Sequence, residues 1–177
     1  MRRELFIHFA FWFGFFAFVT IFRNHLSLTY WPFWLGGAIG TILPDADHLI
    51  YVLFLNPQEL TSQRVSFLIK RREISRVISL LYETRKERQN LVFHSFLFQV
   101  IFFVFAFFIV SSTSSILVRG IVLAMSLHLA VDQLADYLDM KNLNNWGKIF
   151  SFDLDSQKSV LFLTASFLLV CVLGFLM

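Results

Sequence analysis

Charge is what this chain has least of. Of its 177 residues 15% are Asp, Glu, Lys or Arg, whereas 57% are hydrophobic and 24 are phenylalanine. A soluble domain of this length carries about 25% charged residues, so that class is excluded. Cysteine is nearly absent, and the lone Cys171 can form no intrachain disulfide. A small-residue cleavage site is missing too. The first apolar run, Leu5–Phe22, stays bulky with Phe and Trp and leads into Arg23-Asn24-His25. It therefore reads as a retained helix rather than a cleaved signal, and Arg2-Arg3 matches a twin-arginine signal only weakly. No internal repeat is visible, and no low-complexity tract beyond the Phe-rich runs.

What is present comes in blocks: Leu5–Phe22, Trp31–Leu55, Leu91–Val110, Ile116–Leu134 and Ser159–Met177. Each has roughly the ~20 residues that cross a hydrocarbon core. The expectation is an all-α, polytopic membrane bundle of about five transmembrane helices forming one domain over residues 1–177. Basic residues orient it. With the N-terminus inside, Arg2, Arg3, Arg64, Lys70, Arg71, Arg72, Arg76, Arg85, Lys86, Arg88, Lys141, Lys148 and Lys158 are cytoplasmic and only Arg23 and Arg119 external. The C-terminus then lies outside, and the bundle is in contact with membrane lipids. The net charge of +3 is mostly this bias and does not argue for a nucleic-acid partner.

Between the second and third blocks lies a cytoplasmic loop, 56–90. In it Phe67, Ile74, Val77, Ile78 and Leu81 recur at helical spacing among Lys70, Arg71, Arg72 and Arg76. That pattern predicts a basic amphipathic helix in the membrane surface. Gly36 and Gly40 are spaced to let the second helix approach a neighbour closely. Pro44 should kink or loosen that helix, and in lipid such a defect persists only where protein or a wet cavity covers it.

Seven histidines and aspartates interrupt the apolar blocks: His8, Asp45, Asp47, His48, His94, His128 and Asp132. Such groups are rare within spans and face a bundle interior or cavity. At ~1.5 Å rise per residue, His8 and His94 lie roughly 5 Å inside the cytoplasmic helix ends, His128 about 9 Å, and Asp45 to His48 about 10–15 Å. All seven therefore fall in the inner half of the bilayer. His128 and Asp132, four apart, share a face, as do Asp45 and His48, three apart. Asp47 points elsewhere unless Pro44 unwinds the turn. Imidazoles and carboxylates together are the ligand set of zinc, manganese or iron, zinc being the first expectation, in a one- or two-metal site. A polar network that only joins the helices is the plainer alternative.

With these residues the chain resembles a bacterial family of predicted inner-membrane metal-dependent hydrolases, itself distantly akin to zinc-dependent phospholipases C and single-strand nucleases. That family carries an early His, then Leu-Pro-Asp-x-Asp-His, His-Arg-Gly-x-Thr-His-Ser and His-x-x-x-Asp. The matches are His8, Leu43-Pro44-Asp45-Ala46-Asp47-His48, His94-Ser95, and His128 with Asp132. The third motif departs from the pattern: it reads Gln89-Asn90-Leu91-Val92-Phe93-His94-Ser95. If the family's Arg there contacts a phosphate, that contact has to come from elsewhere in this chain.

The resemblance implies a hydrolase acting on a phosphoester, lipid or lipid-linked, at the cytoplasmic leaflet. All seven of those histidines and aspartates are candidate metal ligands, and Asp47 and Asp132 the candidate general bases. Asn90, Ser95 and Arg88 are secondary candidates for substrate contact, with Arg85 and Lys86 near them. The alternatives are a metal-ion transporter or metal-binding membrane protein, for which a His-x-x-x-Asp pair also serves, and a catalytically degenerate relative.

Overall fold

The computed structural model of the chain describes residues 2–88, 91–147 and 154–177. Asn90, Gln89 and Lys148 fall outside them, and the side chains of residues 2–5 and of Lys86 are likewise not described. Among the described residues the fold is all-helical, with no strand. The apolar helices are α1 (Arg2–Phe22), α2 (Trp31–Ile42), α6 (Phe96–Ser112), α7 (Ile116–Met140) and α9 (Ser156–Leu176). The composite helix Leu28–Leu55, α7 and α9 are each long and apolar enough to cross a membrane; Phe6–Phe22 and Phe96–Ser112 are shorter apolar helices. Their outward faces expose Phe6, Phe13, Phe108, Leu161 and Leu168, side chains that water would not support in such numbers.

At the centre stands α7. Every residue from Val122 to Gln133 is buried, as expected of a helix apolar on all sides, and α1, α2, α6 and α9 all pack on it. Its contact with α2 is the most extensive in the molecule. Gly36 and Gly40 cause this: a Cβ on either would run into the Leu117 or Ile121 carbonyl of α7, and one on Gly120 into the Phe33 carbonyl of α2. Here backbone lies against backbone, as the glycine spacing predicts.

Beyond Ile42 the second helix loses regularity where Pro44 requires it. Leu43–Asp45 is a 3-10 turn, α3 covers Ala46–Ile50, and Tyr51–Leu55 is π-helical. Such irregular turns leave the α-helical side-chain spacing and commonly mark functional sites.

Three boundaries differ from expectation. The amphipathic helix of the 56–90 loop is two, α4 (Leu60–Lys70) and α5 (Ile74–Glu83), broken where Arg72 adopts a left-handed φ of 59°. Val65 and Val77 of this hairpin are buried with Tyr51, Val52 and Leu91, so it docks on the irregular part of the second helix. The third span begins at Phe96, capped by Ser95, whose hydroxyl accepts from Phe98 N; His94 therefore sits in a turn before the helix. Finally α7 continues to Met140, and Asp136 near its end accepts from the Trp146 indole at 2.8 Å. By ~1.5 Å per residue this puts His128 about 18 Å from the end of its helix, deeper than expected.

Candidate metal centre

Four elements converge on one fully buried carboxylate, Asp132. From α1, His8 Nε2 lies 3.2 Å from Oδ1; from its own helix, His128 Nε2 lies 3.1 Å from Oδ2. From the turn before α6, His94 Nε2 lies 2.9 Å from Oδ2, and from the 3-10 turn Arg85–Glu87, Arg85 Nη2 donates to Oδ1 at 2.6 Å. The His8 and His128 rings stack at 4.1 Å.

The hydrogen bonds decide which nitrogens can bind a cation. His128 Nδ1 lies 2.6 Å from the Thr41 carbonyl at the end of α2. A carbonyl only accepts, so Nδ1 carries the proton and Nε2 of a neutral ring offers a lone pair. That lone pair is buried, lacks a hydrogen-bond partner, and faces Asp132 Oδ2 at 3.1 Å with Asp45 Oδ1 at 3.9 Å. In the neutral ring that lone pair would meet a carboxylate, a repulsion that either a proton on Nε2 or a bound cation removes. One ligand atom each from His8, His128 and Asp132 lies within 4.8 Å of the others. Ligands ~2.0–2.1 Å from a tetrahedral zinc stand roughly 3.3 Å apart; His8 Nε2 lies 3.2 Å from one Asp132 oxygen, Oδ1, and His128 Nε2 3.1 Å from the other, Oδ2. The residues fit a divalent metal.

Asp47 does something else. Also fully buried, it accepts from the backbone N–H groups of Val92 at 3.2 Å, Phe93 at 2.6 Å and His94 at 3.3 Å. Its Oδ2 also faces His94 Nδ1 at 3.3 Å. Both nitrogens of His94 thus face carboxylates, so the ring bridges Asp47 and Asp132. The turn after Pro44 aims Asp47 at this segment and away from the face Asp45 shares with His48.

Of the seven expected ligands, then, the geometry gathers His8, His128 and Asp132 as a ligand group, with Asp45 beside them. It assigns His94 and Asp47 to holding that group, and places His48 at the rim. Neither expected base has an unengaged oxygen. Ser95 caps α6 and donates to the Val92 carbonyl at 2.7 Å. Arg88 turns inward: Nε donates to His48 Nδ1 at 3.1 Å, Nη1 to Thr84 Oγ1 at 2.9 Å and Nη2 to the Leu81 carbonyl. Burial pushes its guanidinium down to about 10, so it remains a cation at neutral pH.

Beside the ligand group opens a cavity of about 340 Å³ with His8, Asp45, His48 and Arg85 at one end and Ile42 and Ile78 among its apolar walls. One participant had no sequence signal: the Thr41 carbonyl that holds His128 Nδ1 is backbone. No protein-family model, curated protein or solved structure matches this chain.

Proposed function

We propose that the chain is a membrane-bound, metal-dependent hydrolase of phosphoesters, related to the inner-membrane hydrolase family that its motifs resemble. One observation carries the reading: His8, His128 and Asp132 bring ligand atoms within 4.8 Å of one another, and His8 also lines the neighbouring cavity together with Asp45. Three protein ligands is the number that catalytic rather than structural zinc takes. A bound divalent cation supplies Lewis-acid polarisation of the phosphoester and acidifies water.

The protein's own groups complete the chemistry. Asp45, whose side chain is 40% exposed, lines the cavity and is the carboxylate placed to take a proton from water, since Asp47 and Asp132 are engaged on both oxygens. Hydrolysis forms one P–O bond to water and breaks the P–O bond to the leaving alcohol; the proton held by Asp45 returns to the leaving oxygen. Arg85 stands at the same cavity end and offers a cation to a phosphoryl oxygen. The apolar walls suit a lipid or lipid-linked substrate, with zinc the first choice of metal and manganese or iron the others.

Five spans, N-terminus inside and C-terminus outside, in the inner membrane of a bacterium, accompany this reading. Arg64, Lys70, Arg71, Arg72 and Arg76 lie on the α4–α5 hairpin, whose Ile78 and Leu81 line the cavity, and the positive-inside rule supports a site at the cytoplasmic leaflet. Reporter fusions at Thr113 and Met177 should read external and one at Arg71 cytoplasmic. The deciding test is metal analysis of purified protein with a phosphoesterase screen that includes lipid substrates. Bound metal and ester cleavage, both lost in His128→Ala, are expected; metal flux into proteoliposomes without cleavage of any ester would overturn the proposal.

A further inference from the structure

Arg88 fixes the tautomer of His48. The guanidinium Nε always carries a hydrogen and stands 3.1 Å from His48 Nδ1, so that ring nitrogen must accept. The other two nitrogens of the guanidinium are committed to Thr84 and Leu81, which leaves the group no freedom to turn away. A neutral His48 then bears its single proton on Nε2. This Nε2–H is buried without a hydrogen-bond partner among the described residues, on a residue only 7% exposed. The residue lines the cavity together with His8, Asp45 and Arg85. Buried donors are almost always satisfied, so the unmatched one points to an occupant that brings an acceptor.

A metal ligand has to offer a lone pair, and His48 has none to offer: Nδ1 is used by Arg88 and Nε2 is protonated. We propose that His48 is a hydrogen-bond donor to an anionic oxygen of the substrate, the phosphoryl oxygen under the hydrolase reading on which this rests, and not a ligand of the cation. Arg88 is the positioning residue behind it. The family-like Asp-x-Asp-His stretch thereby divides its labour: Asp45 faces the ligand group, Asp47 holds the His94 turn, and His48 meets the substrate.

Full-length protein in detergent tests this with inorganic phosphate as the probe. His48→Phe keeps the ring shape without a donor, whereas His48→Gln restores an N–H near the Nε2 position. Both should retain the wild-type zinc content, while His128→Ala loses it. Phosphate binding to the zinc-loaded protein should weaken at least about tenfold in His48→Phe and recover most of that in His48→Gln. On the wild-type chain, nitrogen-15 spectra of labelled histidine should show His48 protonated at Nε2 before and after zinc, while His8 and His128 shift. Zinc loss in His48→Phe matching that of His128→Ala, or loss of the His48 Nε2 proton on zinc binding, overturns the inference and leaves the hydrolase reading standing. Unchanged phosphate binding in His48→Phe overturns it as well. A wild-type chain that holds no zinc, manganese or iron removes the hydrolase reading, and this inference with it.

Discussion

Two buried carboxylates, 85 positions apart in sequence and joined by the His94 ring, are satisfied in opposite ways. Asp47 is held by consecutive backbone amides at the turn before α6. Asp132 is held by side chains from four separate elements. Backbone donors cannot rotate away, so the Asp47 region is architecture. Side chains can exchange a contact with the carboxylate for one with a cation, so under the proposed reading the Asp132 region carries the chemistry. Equal burial therefore does not imply equal role; the nature of the donors decides.

Substitutions should separate the two regions, beginning with the largest effect. Asp47→Ala leaves three buried N–H groups and one face of His94 without an acceptor, and should cost about 3–5 kcal/mol in unfolding followed in detergent. Asp132→Asn should lower metal affinity by at least ~100-fold, about 2.7 kcal/mol, while moving the unfolding midpoint of the metal-free protein far less than Asp47→Ala does. Similar unfolding losses for both would erase the distinction.

How much of this was legible beforehand depends on which bond carries the information. The helical class and apolar spans follow from Phe-rich runs, and the α2–α7 contact from Gly36 and Gly40, because composition and spacing set both. The clustering of His8, His128 and Asp132 was readable from depth and from the i, i+4 pair. The division of roles was not. It depends on the Thr41 carbonyl and the Val92–His94 amides, which every residue type possesses and which no pattern of letters marks. The break in the α4–α5 hairpin was hidden for a similar reason, since Arg72 in a left-handed conformation is rare.

Smaller effects sharpen the contrast. Arg85→Gln removes a cavity cation and a competitor for Asp132, so phosphoester turnover should fall roughly tenfold, with metal content equal to or above wild type. A parallel loss of metal would make Arg85 part of the scaffold instead. Ser95→Ala deletes the cap of α6 and should cost about 1 kcal/mol, read in the same unfolding experiment and leaving metal content unchanged.

The glycine seam carries one more consequence. Alternating access requires one bundle to rock against another around a fixed site. At Gly36, Gly40 and Gly120 the facing surfaces are main chain, so no layer of side chains is available to repack during a rocking step. The seam ends at Thr41, whose carbonyl grips His128, and the ligand group is thus mounted on the most extensive helix contact among the described residues. Such a mounting suits a site that keeps one geometry and one entrance through every cycle.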